Sequence, residues 1–475
     1  MNNSCSLSGS PVTGAIHPDL LSAINTSRGR GAAFHKDAFV DQWVRTRFDT
    51  VSLDAMLVPL RGLEGWCRDP QTGNIYHTAG RFFSIIGIHC RHRIDRYEIE
   101  WDQPIIEQPE TGILGILAKS IEGTMHFCLQ AKEEPGNIGG VQLSPTVQAT
   151  FSNYTGAHGG AEPLFLRHFI DTQADRIILA RMQTEDGGRF LYKSNRNMIV
   201  LAGDDVPLEL PDGFIWLTLR QIAGLLKRNN LVNACTRSIL SGLIFPGPAV
   251  WNNSEGYGPA GPASVGPAGI WDTLQWLDDR RSANHMLTRR IGLNDLQEWC
   301  MDEKEFFSHR KKRFFRIVGL KIGSAGREVS SWSQPIIENP VPGLIGLLVR
   351  DSALGLEILM QTKAEVGNKT TVQLGPTVQF TQENYADSIK LKKPFLFDEF
   401  LSPDAFKLIH ESRQAEEGAR FYREHHIHRI LQLPDSVKLS LPDDYRWLPL
   451  SHVLFLIHLG EQVNSCARSI LTCML

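Results

Sequence analysis

No Cys-x-x-Cys pair occurs in the chain, which excludes a zinc ribbon or a dithiol redox motif. The eight cysteines (Cys5, Cys67, Cys90, Cys128, Cys235, Cys300, Cys466 and Cys473) instead read as small buried apolar residues of a reducing, cytoplasmic compartment. No Gly-x-Gly-x-x-Gly follows a strand pattern and no Gly-x4-Gly-Lys-Ser/Thr loop is present, so neither a nicotinamide nor a P-loop nucleotide is indicated. A His-x-x-x-His zinc helix and a Gly-x-Ser-x-Gly nucleophile elbow are also missing. Charge of one sign is scarce: the net charge of −3 argues against a general nucleic-acid or anionic-membrane binder. No apolar run approaches the roughly 20 residues that span a bilayer. The polar stretch Met1 to Ser10 does not read as a secretory signal. The composition is ordinary for a soluble globular protein, and cofactor-free chemistry is the simplest enzyme reading that survives.

What the chain does have is a repeat. Trp101-Asp102-Gln103-Pro104-Ile105-Ile106-Glu107 returns as Trp332-Ser333-Gln334-Pro335-Ile336-Ile337-Glu338, 231 positions on. The same stride carries Gln130 to Gln361, Lys132 to Lys363, Gly136-Asn137 to Gly367-Asn368 and Gln142 to Gln373. It carries Thr146-Val147-Gln148 to Thr377-Val378-Gln379, Asn153-Tyr154 to Asn384-Tyr385, Arg189 to Arg420, and Arg237-Ser238 to Arg468-Ser469. Two copies of one domain are present, and what both retain is visible inside a single sequence. At 475 residues there is room for two cores of about 200 residues each.

Residues 1–33, rich in Ser, Gly and Asn, read as a loose arm; copy one spans 34–245 and copy two 270–475. Residues 246–269 are a Gly/Pro-rich linker that holds neither helix nor strand. Each copy opens on a helical pattern, Phe39-x-x-x-Trp43-x-x-x-Arg47 and Trp271 to Arg280. Each closes on two helices, Leu217 to Leu226 with Leu231 to Leu240, and Leu448 to Leu459 with Val463 to Leu471. Between them lie β patterns: Arg81 to Ile88, Gly112 to Leu117, and a hairpin of Thr124 to Lys132 with Val141 to Thr150 about the Pro135-Gly136-Asn137 turn. Strands in the middle and helices at the ends give an α+β fold.

The hairpin carries the strongest chemical signal. Strand side chains alternate faces, so Gln142, Ser144, Thr146, Gln148 and Thr150 share one side, opposite Leu143, Val147 and Ala149; Gln130 and Lys132 share a side of the first strand. Copy two repeats the stripe with Gln361, Lys363, Gln373, Thr377, Gln379 and Thr381. A half-solvated sheet needs only polarity, whereas these copies keep the same amides and hydroxyls, which suits a polyhydroxylated or carbonyl-bearing ligand. Arg189 and Arg420 each follow an acidic-Gly turn, and Arg237 and Arg468 follow Asn233 and Asn464 by four residues. Such guanidinium groups fit either a phosphate or an inter-element salt bridge, and the sequence leaves both open. Trp66, Trp299, Tyr154 and Tyr385 suit either stacking on a base or sugar or packing in the core.

Gln103-Pro104-Ile105-Ile106-Glu107-Gln108-Pro109, Gln130-Ala131-Lys132-x-Glu134-Pro135-Gly136-Asn137 and Gln142-Leu143-Ser144-Pro145-Thr146-Val147-Gln148-Ala149-Thr150 resemble the NDP-hexose 2,3-dehydratase family, over almost the whole chain. The resemblance implies a homodimer of tandem Nudix-like domains, each a mixed β-sheet flanked by helices. It also implies dehydration of dTDP-4-keto-6-deoxy-D-glucose on the way to 2,6-dideoxysugars of antibiotics, without cofactor. The acid-rich Nudix metal box is not found, so the fold would be reused without metal-dependent hydrolysis. On this resemblance His168 and Glu134 are the candidate bases, and Lys132 or Gln130 meets the ketone. The Gln142/Thr146/Gln148 stripe would hold sugar hydroxyls, Arg189 and Arg237 the diphosphate, and Trp66 or Tyr154 the thymine. The alternative is a non-catalytic sugar-nucleotide-binding protein.

Overall fold

A computed structural model of the chain describes residues 18–29, 31–80, 82–94, 97–150, 162–244, 267–324, 330–386 and 392–475. The expected sites Asn153 and Tyr154, and the 246–266 part of the linker, lie outside the described residues. Two boundaries differ from expectation. Pro18–Arg28, inside the expected loose arm, is a helix. It buries Ala23 and Ile24 in the first repeat's core, and its Ser27 hydroxyl accepts a bond from the Leu219 amide at 2.8 Å. The helix of the second repeat begins inside the expected linker and runs Pro267–Ala283. Among the described residues no helix is long and apolar enough to cross a membrane.

Each repeat is built on a seven-stranded mixed sheet. In the first, Gly112–Ile121 runs parallel to Ser194–Leu201 and antiparallel to Thr124–Glu133. Gly343–Ser352 stands in the same relation to His425–Gln432 and Gly355–Ala364 in the second. Gly112–Ile121 is apolar on both faces because both are covered. Leu114, Ile116 and Ala118 pack under the helices Leu219–Leu226 and Ala234–Leu240, while Ile113 and Leu117 pack against Phe169. Gly115 lets the Phe169 ring lie on the strand, since a Cβ there would stand 2.3 Å from it.

The predicted hairpin forms, with Thr124–Glu133 paired to Val141–Pro145. The second strand then breaks at Thr146, and Val147–Thr150 crosses to pair with Gly112–Ile121. The Thr146 hydroxyl makes the crossing, donating to the Cys128 carbonyl at 2.5 Å and accepting from the Leu117 amide at 2.9 Å. Thr377 does the same between Leu359 and Leu348. These hydroxyls replace ladder bonds that a straight strand would supply.

The repeats interlock rather than sit as beads on a string. Leu53–Val58 of the first adds antiparallel to Arg316–Ser324 of the second, and His285–Ile291 of the second adds to Ser84–Ile94 of the first. Deeper in the seam, Arg237 donates to the Ser469 hydroxyl at 2.7 Å and Arg468 to that of Ser238 at 3.0 Å. Asn233 and Asn464 cap the helices that carry these arginines, accepting from the Cys235 and Ala467 amides at 2.7 and 2.9 Å. Such caps contribute about 1 kcal/mol each.

Candidate active site

The Gly136-Asn137 turn of the first repeat docks on the acidic-Gly turn of the second. The Gly136 amide donates to the Gly418 carbonyl at 2.7 Å, and the Arg423 amide to the Gly136 carbonyl at 2.8 Å. Gln334 braces that turn from behind, donating to the Ala419 carbonyl at 2.8 Å. Docking carries Glu417, Ala419 and Arg420 across the seam to the end of the first repeat's hairpin, where they close a cavity of about 660 Å³.

One wall of the cavity is aromatic: Trp66, Phe82, Phe83 and Trp332. The Trp66 indole donates to the Ser333 carbonyl at 2.8 Å and packs on Phe83 at 4.9 Å, while the Arg420 guanidinium lies over the Phe83 ring, 4.2 Å from its centre. Arg420 also donates to the Gln108 amide oxygen. Another part of the lining is a polar chain. Lys132 Nζ lies 3.0 Å from Glu134 Oε1 and donates to Gln148 Oε1 at 3.0 Å; Gln148 Nε2 donates to Glu417 Oε1 at 2.6 Å. Glu134 is buried, and its Oε2 has no hydrogen-bond partner among the described residues. Lys193, Asn195 and Glu185 also line the cavity, with Asn195 donating to Glu185 Oε1 at 2.6 Å and Lys193 to the Glu110 carbonyl.

Burial and the neighbouring Glu134 and Glu185 carboxylates push the Glu417 carboxyl up to about 7. Burial pulls the Lys193 ammonium below the usual lysine range. The arrangement brings aromatic rings, cations, carboxyl groups and amides to one space, a combination that can support acid–base chemistry on a polar ligand.

The NDP-hexose 2,3-dehydratase family model matches residues 37–243 and again 271–474, one match for each repeat. The chain belongs to the NDP-hexose 2,3-dehydratase family. It is 36% identical over 443 residues to a dTDP-4-dehydro-6-deoxy-alpha-D-glucopyranose 2,3-dehydratase of Amycolatopsis orientalis, covering 92% of this chain and 89% of that one. Proteins of the same name from Saccharopolyspora spinosa and Streptomyces violaceoruber are 35% identical over 436 residues and 36% over 424. Those alignments cover 90% and 88% of this chain, and 89% and 92% of the relatives.

Set in this family member's structure, the sequence candidates divide. Trp66, Lys132, Glu134, Gln148, Ala149, Thr150 and Arg420 meet at the cavity. Gln142 and Thr146 do not: Gln142 is fully buried beside Asn233, and the Thr146 hydroxyl is used by the strand crossing. Gln130 is absent from the lining as well. The stripe is split because the strand changes partner halfway, so only its far end reaches the cavity. Arg237 and Arg468 are fully buried ties between repeats, bonded to the Val232 and Ala415 carbonyls and to the Val463 and Thr184 carbonyls. They hold protein backbone rather than lining the cavity. His168 lies in a separate surface cleft with Arg167, Arg176 and Asp205, its Nε2 3.7 Å from Asp205.

The remaining candidates lie in or against the second repeat's counterpart of the hairpin, where Gln361, Gln373 and Thr377 are held by protein groups. There Arg189 lies 4.1 Å over Phe315, and Trp299 donates to the Asp102 carbonyl at 2.8 Å. Gln379 donates to Glu365 at 3.2 Å and Gln373 to the Glu461 carbonyl at 2.8 Å. Gln361 donates to the Pro376 carbonyl at 2.9 Å, Thr377 is used by its crossing, and Tyr385 packs on Phe397. Lys363 follows Gln361 on the same strand as Lys132 follows Gln130, and Thr381 and Asn384 lie just beyond Gln379, at the start of and within the single helical turn Gln382–Tyr385. The wall has changed: Glu424 stands where the first site has Lys193, and His426 where it has Asn195. The His426 ring accepts from the Gly343 amide and lies 3.5 Å from Glu416 and 3.8 Å from Glu424. Burial, with Arg189 nearby, holds that imidazole down to about 3, so it is neutral.

Sequence reading passed over Glu417, Lys193, Asn195, Phe83 and Trp332. The available signal was the joint retention of Gly136-Asn137 and the acidic-Gly turn in both copies, which marks two surfaces that fit each other.

Proposed function

We propose that this chain is a dTDP-4-keto-6-deoxy-D-glucose 2,3-dehydratase and that the working site is the cavity on the first repeat. The observation that carries the reading is the Glu134–Lys132–Gln148 chain facing an aromatic slot, in a chain that aligns with 2,3-dehydratases along nearly its whole length. The ketone at sugar carbon 4 acidifies the hydrogen on carbon 3. Glu134, with an oxygen unpartnered among the described residues, takes that proton, and the Lys132 ammonium steadies the enolate oxygen at carbon 4. The hydroxyl on carbon 2 then leaves as water, and the enol relaxes to a 3,4-diketo-2,6-dideoxy sugar. A positioned base supplies about 10²- to 10⁴-fold and a preorganised oxyanion donor about 10²- to 10³-fold.

Trp66 stacks on the thymine in this reading, and Arg420 and Lys193 take the diphosphate. The second repeat's counterpart is the weaker binder, because Glu424 in place of Lys193 adds an acid where an anionic ligand needs a cation. The reading also takes each repeat as Nudix-like, the protein as a cytoplasmic homodimer, and the product as a precursor of an antibiotic 2,6-dideoxysugar, all of which rest on the family resemblance. The test is incubation of purified protein with dTDP-4-keto-6-deoxy-D-glucose, followed by mass spectrometry. Loss of one water from the sugar nucleotide is expected; recovery of intact substrate would leave a binding protein instead.

A further inference from the structure

We infer that Glu417, contributed by the second repeat, is the acid that protonates the departing carbon-2 hydroxyl in the site built on the first repeat. This rests on the dehydratase reading above and adds the group that reading lacks. An elimination across carbons 2 and 3 needs a base at one carbon and an acid at its neighbour, so two proton-carrying groups must face one sugar edge. Glu134 and Glu417 are the two ends of one hydrogen-bonded chain on the cavity wall, joined through Lys132 and Gln148.

The orientation of Gln148 follows from its partners. An ammonium only donates, so the Gln148 oxygen must face Lys132, and its amino group must then face Glu417. That bond occupies Glu417 Oε1 as an acceptor and leaves Oε2 as the oxygen to carry the proton. Burial and two neighbouring carboxylates raise the group to about 7, so near neutral pH a large share of it is protonated and able to give that proton up.

The proton count closes. Glu134 takes the carbon-3 proton, and the C–H electron pair becomes the bond between carbons 3 and 4 while the ketone oxygen gains charge. As the ketone re-forms, the pair moves to carbons 2 and 3, the bond from carbon 2 to oxygen breaks, and that oxygen leaves with the Glu417 proton as water. Ketonisation then delivers the Glu134 proton to carbon 2 and returns the carbon-3 hydroxyl proton to Glu417, resetting both carboxyl groups. Neither repeat holds both of them, so the first repeat cannot turn over by itself.

The test separates the two halves of the reaction. In D₂O, carbon-3 hydrogen exchange reports proton abstraction, and water release reports departure of the hydroxyl. Glu417→Gln should keep exchange within a few fold of the native enzyme while water release falls about 10²- to 10⁴-fold. Glu417→Asp should keep exchange and recover part of the water release, which covers the case of a poorly folded Gln variant. Native-like water release in Glu417→Gln overturns the assignment. So does joint loss of exchange and water release in both variants while dTDP still binds by thermal shift. If the native protein neither exchanges nor releases water, the dehydratase reading fails first, and this inference falls with it.

Discussion

The amide of Gly136 donates to the carbonyl of Gly418 at 2.7 Å, and the same bond is repeated with the repeats exchanged, from Gly367 to Gly187 at 2.8 Å. A side chain at either glycine has no room: a Cβ on Gly136 would lie 1.8 Å from the Phe421 carbonyl oxygen, and one on Gly367 equally close to that of Phe190. This reciprocal docking explains why Gly136-Asn137 and the acidic-Gly turn were both retained. It also puts a loop of each repeat into the other's site.

Gly136→Ala should therefore damage stability and turnover together. Overpacking of this kind costs about 1–3 kcal/mol, and here the obstacle is backbone rather than a flexible side chain. Thermal melts and turnover at a temperature where the variant is folded would show both losses. Native turnover in a stable variant would mean that the turns do not position the site.

Arg237→Met tests the buried tie against the phosphate role. Removing the guanidinium orphans the Val232 and Ala415 carbonyls and the Ser469 hydroxyl. At about 1–3 kcal/mol for each buried unpaired group, a loss of at least about 3 kcal/mol is expected in denaturant unfolding. Folded variant should keep the native KM, whereas a KM raised tenfold or more would return Arg237 to the diphosphate.

His168→Ala should leave kcat within about twofold, since the histidine sits in its own cleft outside the cavity lining. Glu134→Gln should lower kcat by about 10²- to 10⁴-fold with KM little changed. The reverse ranking would place the base in the His168 cleft.

Acid groups in the seam should make stability fall as pH rises. Burial pushes Glu416 up to about 8 from an ordinary 4.5, so the folded state holds a proton that the unfolded chain releases. The stabilisation is complete below the unfolded value and is lost as pH climbs through the folded one, a window of about 4.5 to 8. The slope reaches at most about 1.4 kcal/mol per pH unit for one such group. Buried neutral histidines such as His426 pull the other way below about 6.5, so the clean measurement is a difference. Relative to Glu416→Gln, which mimics the protonated form, the native protein should lose stability steadily from pH 6 to about 8; parallel curves would refute the assignment.

The sequence by itself determined the duplication, the mixed helix-and-strand character, the hairpin and the closing helix pairs. These follow from local periodicity and from identities held at constant stride, and neither depends on the path of distant chain segments. It also placed Lys132, Gln148 and Arg420 among the candidates, because retention in both copies outlasts drift, while Glu134 entered through the family resemblance. Only the tertiary structure decided which retained residues share a space. Thr146 and Arg237 look as chemical as Gln148 in one dimension, yet their polar groups are consumed by a strand crossing and by a buried seam. Glu417 lies far along the chain from Glu134 and faces the same cavity, because interlocked strands and a side-chain-free glycine contact bring the two repeats together. Contacts between segments hundreds of residues apart depend on packing geometry, and no local pattern of residues encodes that.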